Sequence, residues 1–512
     1  MLQYSHLNIT YIKDGRTGVR DFTITFNPGD KTALIGEEGN GKSTLLKWMA
    51  DPSLIRHYAH AEGTRVNRGE KTGYLPQELP EEDREKTVYE YLCEEPFFAE
   101  DPAGVHETAA LTGMDPASLY SDQKMKTLSG GERIRIQIAR LIIGKASALF
   151  LDEPSNDLDI DALVWLTGFI RSFKGIVVFI SHDETLLEET ADRIIHMEML
   201  KRKTESRITV AGCGYREYIR RREDLFARQT QIAQNERKQE AIRMEKFRKI
   251  QNSVDHALNT VSRQDPHSGR LLKKKMKSVK SMEKRFDRER ENMTEMPVQE
   301  EAILFRFDDA CHIPAGKRIL EMDLKELKTP EGKCLSENIH LDINGAGHVC
   351  VIGKNGCGKT TLLRRIYDIL KDRSDIRVVY MPQNYEEELD MDMDPVTFLA
   401  EGKEKEAITE ARAYLGAMRY TTDEMEHSMQ ELSGGQKAKV LMLKMNLAKA
   451  NVLILDEPTR NFSPLSGPVI RSTLKEFRGC IISVSHDRQY IREVCDTLYR
   501  MDEKGLHRLQ SV

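Results

Sequence analysis

At 512 residues the chain is too long for one ordinary domain and suits two or three domains of roughly 100–200 residues. Its hydrophobic content of 39% permits well-packed cores and argues against wholesale disorder. No apolar run approaches the roughly 18 residues that cross a bilayer, and the first residues lack the basic and then apolar pattern expected of a secretory signal. The eight scattered cysteines form no CxxC pair. A cytosolic protein with reduced thiols, without a disulfide framework or zinc site, is therefore expected.

The charge is unevenly distributed along the chain. The net charge is −5, yet between Tyr215 and Thr294 there are 22 Lys and Arg against 12 Asp and Glu. This basic segment lies between two acidic lobes, which indicates a polyanionic partner for the segment.

One series of motifs occurs twice, in the same order. In the first half it reads GEEGNGKS at 36–43, LSGGE at 128–132, ALFLDEP at 148–154 and ISHD at 180–183. In the second half it reads GKNGCGKT at 353–360, LSGGQ at 432–436, VLILDEP at 452–458 and VSHD at 484–487. Such a repeat predicts two domains of one kind, at 1–214 and 297–512, with a separate segment at 215–296.

Each glycine-rich motif follows a short apolar strand and precedes a helical pattern. Further apolar strands end at Asp152 and Asp456 and before His182 and His486. Strands that alternate with helices predict an α/β fold with a largely parallel sheet in each domain.

The glycine-rich motifs match GxxxxGK[ST], the P-loop that binds nucleotide phosphates. Its backbone N–H groups turn toward phosphate oxygens at a helix N-terminus, the lysine reaches the β- and γ-phosphates, and the hydroxyl binds Mg²⁺. The predicted ATP-binding residues are Gly36, Gly39, Asn40, Gly41, Lys42, Ser43 and Thr44 in the first half, and Gly353, Asn355, Gly356, Gly358, Lys359, Thr360 and Thr361 in the second.

Two acidic pairs follow the apolar strands. Asp152 and Asp456 would be unpaired buried charges unless they held a cation, so they are predicted to bind Mg²⁺ together with Ser43 and Thr360. The adjacent Glu153 and Glu457 are predicted to orient or deprotonate the attacking water.

The LSGG motifs, added to the P-loops, make the chain resemble the ATP-binding cassette (ABC) superfamily. That resemblance implies a head-to-tail pair of cassettes in one monomer, with each ATP between one P-loop and the other cassette's signature. Ser129, Gly130 and Gly131 would then cap the nucleotide at Lys359, and Ser433, Gly434 and Gly435 the one at Lys42. It also implies Gln77 and Gln383 as contacts to Mg²⁺ and water, and His182 and His486 as γ-phosphate contacts. Tyr11 would stack on adenine, with Leu327 or Lys328 at the matching place in the second half.

The second half departs from the family pattern after its glutamate. The first half reads SNDLD at 155–159, close to the family's D-loop, whereas the second reads TRNFSP at 459–464 and lacks the aspartate. The two sites are therefore expected to hydrolyse ATP at different rates.

The connecting segment has the pattern of a helical hairpin. Apolar residues recur at helical spacing, at Phe247, Ile250, Val254, Ala257 or Leu258, and Val261, and then at Leu272, Met276, Val279, Met282 and Phe286. Asp265-Pro266 and Ser268-Gly269 predict a tip at about 260–269. These features predict an antiparallel coiled coil, with a solvated spacer as the alternative.

Lysines at 273, 277, 280 and 284 follow one helical stripe beside the predicted tip. Such a basic rod is suited to the phosphates of structured RNA. Tandem cassettes with a charged hairpin linker resemble the ABC-F family. The resemblance implies that the ATP-bound protein binds the ribosome near the tRNA exit site, with the linker toward the peptidyl transferase centre, and that hydrolysis releases it.

Within ABC-F the chain resembles the antibiotic-resistance group, because Lys42 to Gln77 leaves no room for the arm insertion of some housekeeping members and TRNFSP is similar to resistance-type relatives. Lincosamides, pleuromutilins and group A streptogramins are the drug classes this implies. The tip would approach the drug site, with Val261, Arg263 and His267 the side chains most able to perturb rRNA. A housekeeping translation factor, a DNA-repair type ATPase and a soluble exporter subunit remain alternatives.

Overall fold

The structure is a computed structural model of the chain. It describes residues 1–200, 205–260, 266–291, 294, 307, 311–329, 332–400 and 405–509. The chain divides into two compact units, one of Met1–Tyr215 with Glu300–Val512 and the other of Arg216–Gln299.

The first cassette is built on a six-stranded sheet. Its strands, in spatial order, are Thr72–Leu75, Ala148–Asp152, Ile176–Ile180, Lys31–Ile35, Arg193–Leu200 and Glu205–Ala211. The first five are parallel and only the last pairs antiparallel. Every residue of the three central strands is buried. This is expected of a parallel sheet with helices on both faces, and explains why these strands are continuous apolar runs.

The remaining elements of the first cassette are an antiparallel sheet and helices around the parallel one. The antiparallel sheet has the order Thr17–Phe26, Leu2–Tyr11, Ala59–Asn67. The α-helices are Lys42–Ala50, Glu81–Arg84, Val88–Cys93, Phe97–Glu100, Pro102–Thr112, Gly130–Ile143, Ile160–Ser172 and Glu184–Thr190. Short 3-10 helices span Pro52–Ile55, Pro116–Tyr120 and Met125–Thr127.

The second cassette repeats this plan. Its six-stranded sheet has the order Val378–Met381, Val452–Asp456, Cys480–Val484, His348–Gly353, Thr497–Asp502 and Gly505–Arg508, again antiparallel only at the last pair. A two-stranded sheet pairs Arg318–Lys328 with Cys334–Asn344. The α-helices are Lys359–Leu370, Pro395–Ala400, Lys405–Ala417, Thr422–Glu426, Gly434–Leu447, Gly467–Lys475 and Arg488–Val494, and 3-10 helices span Tyr385–Glu387 and Met429–Glu431. The predicted α/β fold with two P-loop domains is confirmed.

The second unit is a helical hairpin. Its first helix spans Tyr215–Thr260 and its second Pro266–Glu291. Phe247 meets Phe286 edge-on with ring centroids 5.7 Å apart, and farther from the turn the Arg290 guanidinium donates to Glu240. These partners run in opposite directions along the two helices, which confirms the antiparallel pairing.

Two details of the predicted hairpin are wrong. Ile250 is 46% exposed and lies outside the seam, which continues instead through half-buried Gln251 and Val254. A coiled-coil seam alternates steps of three and four residues. From Phe247 the seam first steps four residues, to Gln251, and then three, to Val254. Ser268-Gly269 lies inside the second helix, which already begins at Pro266, a favourable first helical residue. Val261 and Arg263 lie outside the described residues, as do the side-chain surroundings of Leu258, His267 and Leu272.

In the part of the chain that the structure describes, no helix is both long enough and apolar enough to cross a membrane.

Candidate ATP-binding sites

The two P-loops have the same backbone geometry. Gly41 and Gly358 precede the P-loop helices with φ of 90° and 101°, a left-handed conformation that glycine adopts without strain. A Cβ on Gly41 would lie 2.6 Å from the Tyr11 hydroxyl, and one on Gly358 would lie 2.9 Å from Leu335. Glycine is therefore required at both positions by conformation and by space.

The P-loop lysines are directed into their own loops. Lys42 Nζ donates to the carbonyls of Gly36 and Glu37, each at 2.9 Å, and Lys359 Nζ donates to those of Gly353 and Lys354 at 2.8 and 2.9 Å. Burial lowers the pKa of Lys42. Each ammonium group thus lies at the mouth of a loop that its backbone has shaped for an anion.

The other predicted P-loop residues surround these lysines. Gly39 and Gly356 also have positive φ, and Asn40 anchors the loop by donating to the Met197 carbonyl at 3.0 Å. The Tyr11 hydroxyl bonds Thr44 Oγ1 at 3.3 Å, so Tyr11 lies beside the first P-loop, and its stacking on adenine stays a prediction. In the second cassette this place belongs to Leu335, not to Leu327 or Lys328: Leu327 is buried in the core and Lys328 pairs with Glu326. Thr361, which follows Lys359 and Thr360 in the second P-loop helix, lines a cavity beside that P-loop.

In the first site Asp152 is held at both oxygens. Ser43 Oγ donates to Asp152 Oδ1 and the Tyr74 hydroxyl donates to Oδ2, each at 2.9 Å. Burial, foremost, raises the pKa of Asp152 although both hydroxyls lower it. The hydroxyl and the carboxylate predicted to share a cation are therefore already in contact.

Glu153 lies at the centre of a hydrogen-bonded group. Its Oε2 accepts from Gln77 Nε2 at 2.9 Å and from Asn156 Nδ2 at 2.5 Å, and His182 Nε2 lies 3.4 Å from its Oε1. Burial raises the pKa of Glu153, but His182, Lys42 and Asn156 together outweigh it and hold the pKa at about 2. Two residues that were predicted to be catalytic, Gln77 and His182, thus converge on the carboxylate of a third, Glu153.

The second site differs in the state of its acids. Asp456 Oδ2 is buried without a hydrogen-bond partner among the described residues. Glu457 accepts from the backbone N–H of His486 at 3.2 Å, and burial raises its pKa to about 8. Burial, followed by the Lys359 charge, lowers the pKa of His486 to about 4. Gln383 and Thr360 line a cavity of about 540 Å³ together with both acids.

Both glutamates predicted to be catalytic have the same unusual backbone. Glu153 and Glu457 have φ of 49° and 53°, and the D-loop residues Asp157 and Asn461 have φ of 57° and 64°. Non-glycine residues in this region are strained and cluster at functional sites, and here the strain is repeated in both halves.

The signature serines cap helices. Ser129 accepts from the Glu132 N–H at the start of Gly130–Ile143, and Ser433 from the Gln436 N–H at the start of Gly434–Leu447, each completing a capping box. Gly130 and Gly435 lie tight against their own D-loops, where a Cβ would come within 2.4 Å of the Asp157 carbonyl and 2.7 Å of the Asn461 carbonyl. Gly131 and Gly434 lie in the first turns of the same two helices.

The two cassettes meet through the predicted motifs. The Asn355 amide of the second P-loop donates to the Asp157 carbonyl at 2.5 Å, and Arg460 pairs with the Asp157 carboxylate at 3.0 Å. At the other site the Gly435 N–H donates to Glu38 Oε2 of the first P-loop at 2.9 Å. Each P-loop therefore contacts the signature and D-loop region of the other cassette, which is a head-to-tail arrangement.

Several residues of these sites were not predicted from the sequence. Tyr74 precedes Gln77 by three positions and has no motif of its own, yet it bonds Asp152. The Phe462 carbonyl accepts from His182 Nδ1 at 2.6 Å across the interface. The buried Arg471 pairs with Glu184 of the first cassette at 2.6 Å. The P-loop pattern alone could have singled out Glu38, because an acidic residue stands there where the second P-loop has Asn355.

Comparison with known proteins agrees with this architecture. The family model described as ABC transporter matches residues 19–156 and 336–460, just over half of the chain. ATP-binding cassette sub-family F member 2 of Mus musculus is 26% identical, with 98% of this chain and 80% of that protein covered. The probable ATP-binding protein YheS of Escherichia coli K12 is 27% identical (98% and 79%), and the protein GCN20 of Saccharomyces cerevisiae is 24% identical (98% and 70%).

Solved structures share the fold at low identity. The RNase-L Inhibitor structure matches with a TM-score of 0.54 at 18% identity, covering 98% of this chain and 89% of that one. The archaeal ribosome recycling factor aABCE1, in complex with a ribosomal stalk protein, matches with a TM-score of 0.54 at 17% identity (98% and 89%).

The chain belongs to the ABC transporter family, as a protein with two ATP-binding cassettes that hydrolyse ATP. Relatives named as sub-family F match along nearly the whole chain, which supports the ABC-F branch. The predicted family is thereby confirmed, and the resemblance to the antibiotic-resistance group stays a prediction.

Proposed function

We propose that ATP is hydrolysed at two composite sites in which each P-loop faces the other cassette's signature. Glu153 and Glu457 orient and deprotonate the attacking water, with Gln77 and Gln383 beside them. His182 and His486 hold the γ-phosphate, and Ser129–Gly131 and Ser433–Gly435 cap the nucleotides. The contacts of Glu153 with Gln77 and His182 support these roles, because the three groups that handle water and phosphate already meet.

The acid and hydroxyl pairs fit a magnesium ion. The Ser43 hydroxyl bonds Asp152, and the buried Asp456 Oδ2 beside Thr360 has no hydrogen-bond partner in the described part of the chain. Oxygen donors in small number, completed by phosphates and water, are what Mg²⁺ prefers in nucleotide sites. Mg²⁺ would neutralise phosphate charge, and Gln77 and Gln383 would complete its surroundings. Among the described residues, no group of three or more His, Cys, Asp or Glu side chains is arranged so that it could hold a metal ion by itself.

We further propose that the ATP-bound protein binds the ribosome through its hairpin. The observation that carries this proposal is the second hairpin helix, on which Arg270 and Lys273, Lys274, Lys275, Lys277, Lys280 and Lys284 are all exposed. Seven exposed cations within about four turns match the phosphate density of folded RNA. The fold also occurs in a protein named as an archaeal ribosome recycling factor.

The purpose we propose is protection of the large ribosomal subunit from antibiotics, in which the hairpin tip reaches toward the peptidyl transferase centre and hydrolysis releases the protein. Lincosamides, pleuromutilins and group A streptogramins are the proposed drug classes. The D-loop at 459–464 supports this assignment by its likeness to resistance-type relatives. A housekeeping translation factor shares every contact described above and differs only in its effect on drug-inhibited ribosomes.

Ribosome binding is tested by co-sedimentation with bacterial ribosomes. The Glu153→Gln, Glu457→Gln protein is expected to pellet with ribosomes in ATP and to stay in solution in ADP. Replacing Lys273, Lys277, Lys280 and Lys284 by alanine should abolish pelleting at about 150 mM salt, since several phosphate contacts are worth orders of magnitude in affinity.

The matched control removes four exposed cations elsewhere on the hairpin, Arg221, Arg228, Arg237 and Lys238, and should pellet nearly as well as the parent. Equal losses in both variants would mean that only net charge matters. Binding to branched DNA that ribosomes do not displace would refute the ribosome as target.

A further inference from the structure

Glu38 occupies an unexpected place between the cassettes. It is the third residue of the first P-loop motif, where the second P-loop has Asn355. The amide of Asn355 donates to the Asp157 carbonyl, so it contacts the D-loop. A carboxylate cannot donate in this way, and Glu38 instead accepts from the backbone N–H of Gly435, at 2.9 Å, in the opposing signature.

The Gly435 N–H that donates to Glu38 lies at a helix N-terminus, where an anion is a favourable acceptor. Gly435 is the second residue of the helix Gly434–Leu447, and the first N–H groups of a helix have no partner within it. Ser433 satisfies the N–H of Gln436, which leaves Gly435 to an outside acceptor. Under the composite site proposed above, that acceptor is the terminal phosphate of ATP bound at Lys42.

We infer that Glu38 is a built-in competitor of the ATP γ-phosphate at the first site. Its carboxylate holds the signature N–H of Gly435 until ATP displaces it, so the first site engages ATP less readily than its sequence motifs alone would allow. The inference rests on the proposed composite site and adds a residue that decides how strongly that site prefers ATP over ADP.

The first P-loop and the opposing signature lie close together around this bond. Glu38 and Glu37 line a narrow space of about 60 Å³ together with Ser433 and Gly435.

Electrostatics point the same way. Glu38 and Glu37 are among the negative charges that surround Lys42, together with Asp152 and Glu153. A γ-phosphate brings further negative charge to this place, and like charges at close range repel each other. ADP, which lacks that phosphate, has no group that competes for Gly435.

The test is nucleotide affinity at the first site alone. The full-length chain carries Lys359→Ala to disable the second P-loop, and binding of fluorescent ATP and ADP is titrated with and without Glu38→Asn, the residue of the sister loop. We expect the Kd for ATP to fall about tenfold and the Kd for ADP to stay within about twofold, since a hydrogen bond to a charged group has that order of effect. Glu38→Gln, which keeps the shape, should act in the same direction.

Glu37→Gln is the matched control, because it removes the same charge from the same loop without touching the Gly435 bond. Equal shifts for ATP and ADP, no shift, or an equal gain in Glu37→Gln would overturn the inference. Failure of the Lys359→Ala parent to bind either nucleotide would instead contradict the composite site itself, so the two failures are distinguishable.

Discussion

His182 Nδ1 lies 2.6 Å from the carbonyl oxygen of Phe462, a residue 280 positions later in the chain and in the other cassette. Because a carbonyl only accepts, Nδ1 carries the hydrogen, and Nε2 is the nitrogen that faces Glu153. His486 has no such anchor: its Nδ1 is buried without a hydrogen-bond partner in the described residues. The two ATP sites are therefore built differently at the histidine that we propose to contact the γ-phosphate.

This difference predicts unequal turnover at the two sites. Each of Glu153→Gln and Glu457→Gln should lower its own site's rate roughly 100-fold or more, so the residual rate reports the other site. We expect Glu153→Gln to leave less activity. Glu153 accepts hydrogen bonds from Gln77 and Asn156 and lies 3.4 Å from His182 Nε2, whereas Glu457 accepts from the His486 N–H and lies 3.7 Å from His486 Nε2. Steady-state phosphate release measures both; identical residual rates would contradict the asymmetry.

The buried histidine of the second site predicts an acid sensitivity. Burial first, and Lys359 second, lower the pKa of His486 from 6.5 to about 4. The unfolded chain then binds this proton more readily than the folded one, so stability is intact above pH 6.5 and is lost as the pH falls toward 4. His486→Gln has no group that titrates here, so the acid-induced loss in the free energy of unfolding should be smaller by about 3 kcal/mol.

Urea unfolding at pH 7 and at pH 4.5 provides the measurement. The variant and the wild type should differ little at pH 7, and the variant should be the more stable at pH 4.5. His340→Gln, on an exposed strand position, is the control. If the stability of His486→Gln fell with pH in parallel with that of the wild type, protonation of His486 would not be the cause of the acid sensitivity.

Tyr74 predicts a difference in magnesium dependence. Its hydroxyl donates to Asp152 Oδ2, whereas the corresponding Tyr380 hydroxyl is buried without a hydrogen bond to Asp456. Tyr74→Phe frees one oxygen of Asp152 to rotate, so the Mg²⁺ concentration for half-maximal ATP binding should rise several-fold, as for other residues that orient metal ligands. Tyr380→Phe should change it little. Calorimetric titration of Mg²⁺ and ATP distinguishes them, and equal effects would mean that neither tyrosine positions a ligand.

The buried pair of Glu184 and Arg471 predicts how the cassettes are held together. Arg471 is 4% exposed and donates two hydrogen bonds to Glu184 across the interface, at 2.6 and 3.0 Å, and one to Glu493 at 2.8 Å. Glu184→Gln removes one of the two carboxylates that pair with the buried Arg471 guanidinium. The free energy of unfolding should fall by about 3 kcal/mol, which calorimetry detects as a lower melting temperature. Glu493→Gln, which removes a half-exposed partner, should cost much less; the reverse order would mean that the interface pair is not the stabilising one.

The motifs predicted most of the fold because each couples a local conformation to a chemical group. A glycine at Gly41 or an aspartate after a buried strand leaves a local signature in the sequence. The contacts of Glu38 with Gly435 and of His182 with Phe462 join residues hundreds of positions apart, and no local pattern encodes them. Ile250 was misplaced for a subtler reason, since a hydrophobic residue one position off a coiled-coil seam fits an ideal helical period almost as well.

The most direct test of the whole account is cell-free bacterial translation inhibited by a pleuromutilin, a lincosamide or a group A streptogramin, with and without the purified protein. We predict that the wild type restores synthesis and that a protein with residues 260–269 replaced by a short Gly-Ser turn, still active as an ATPase, does not. Absence of rescue from every drug, with ATP hydrolysis and ribosome co-sedimentation intact, would contradict the protective role and leave a housekeeping translation factor.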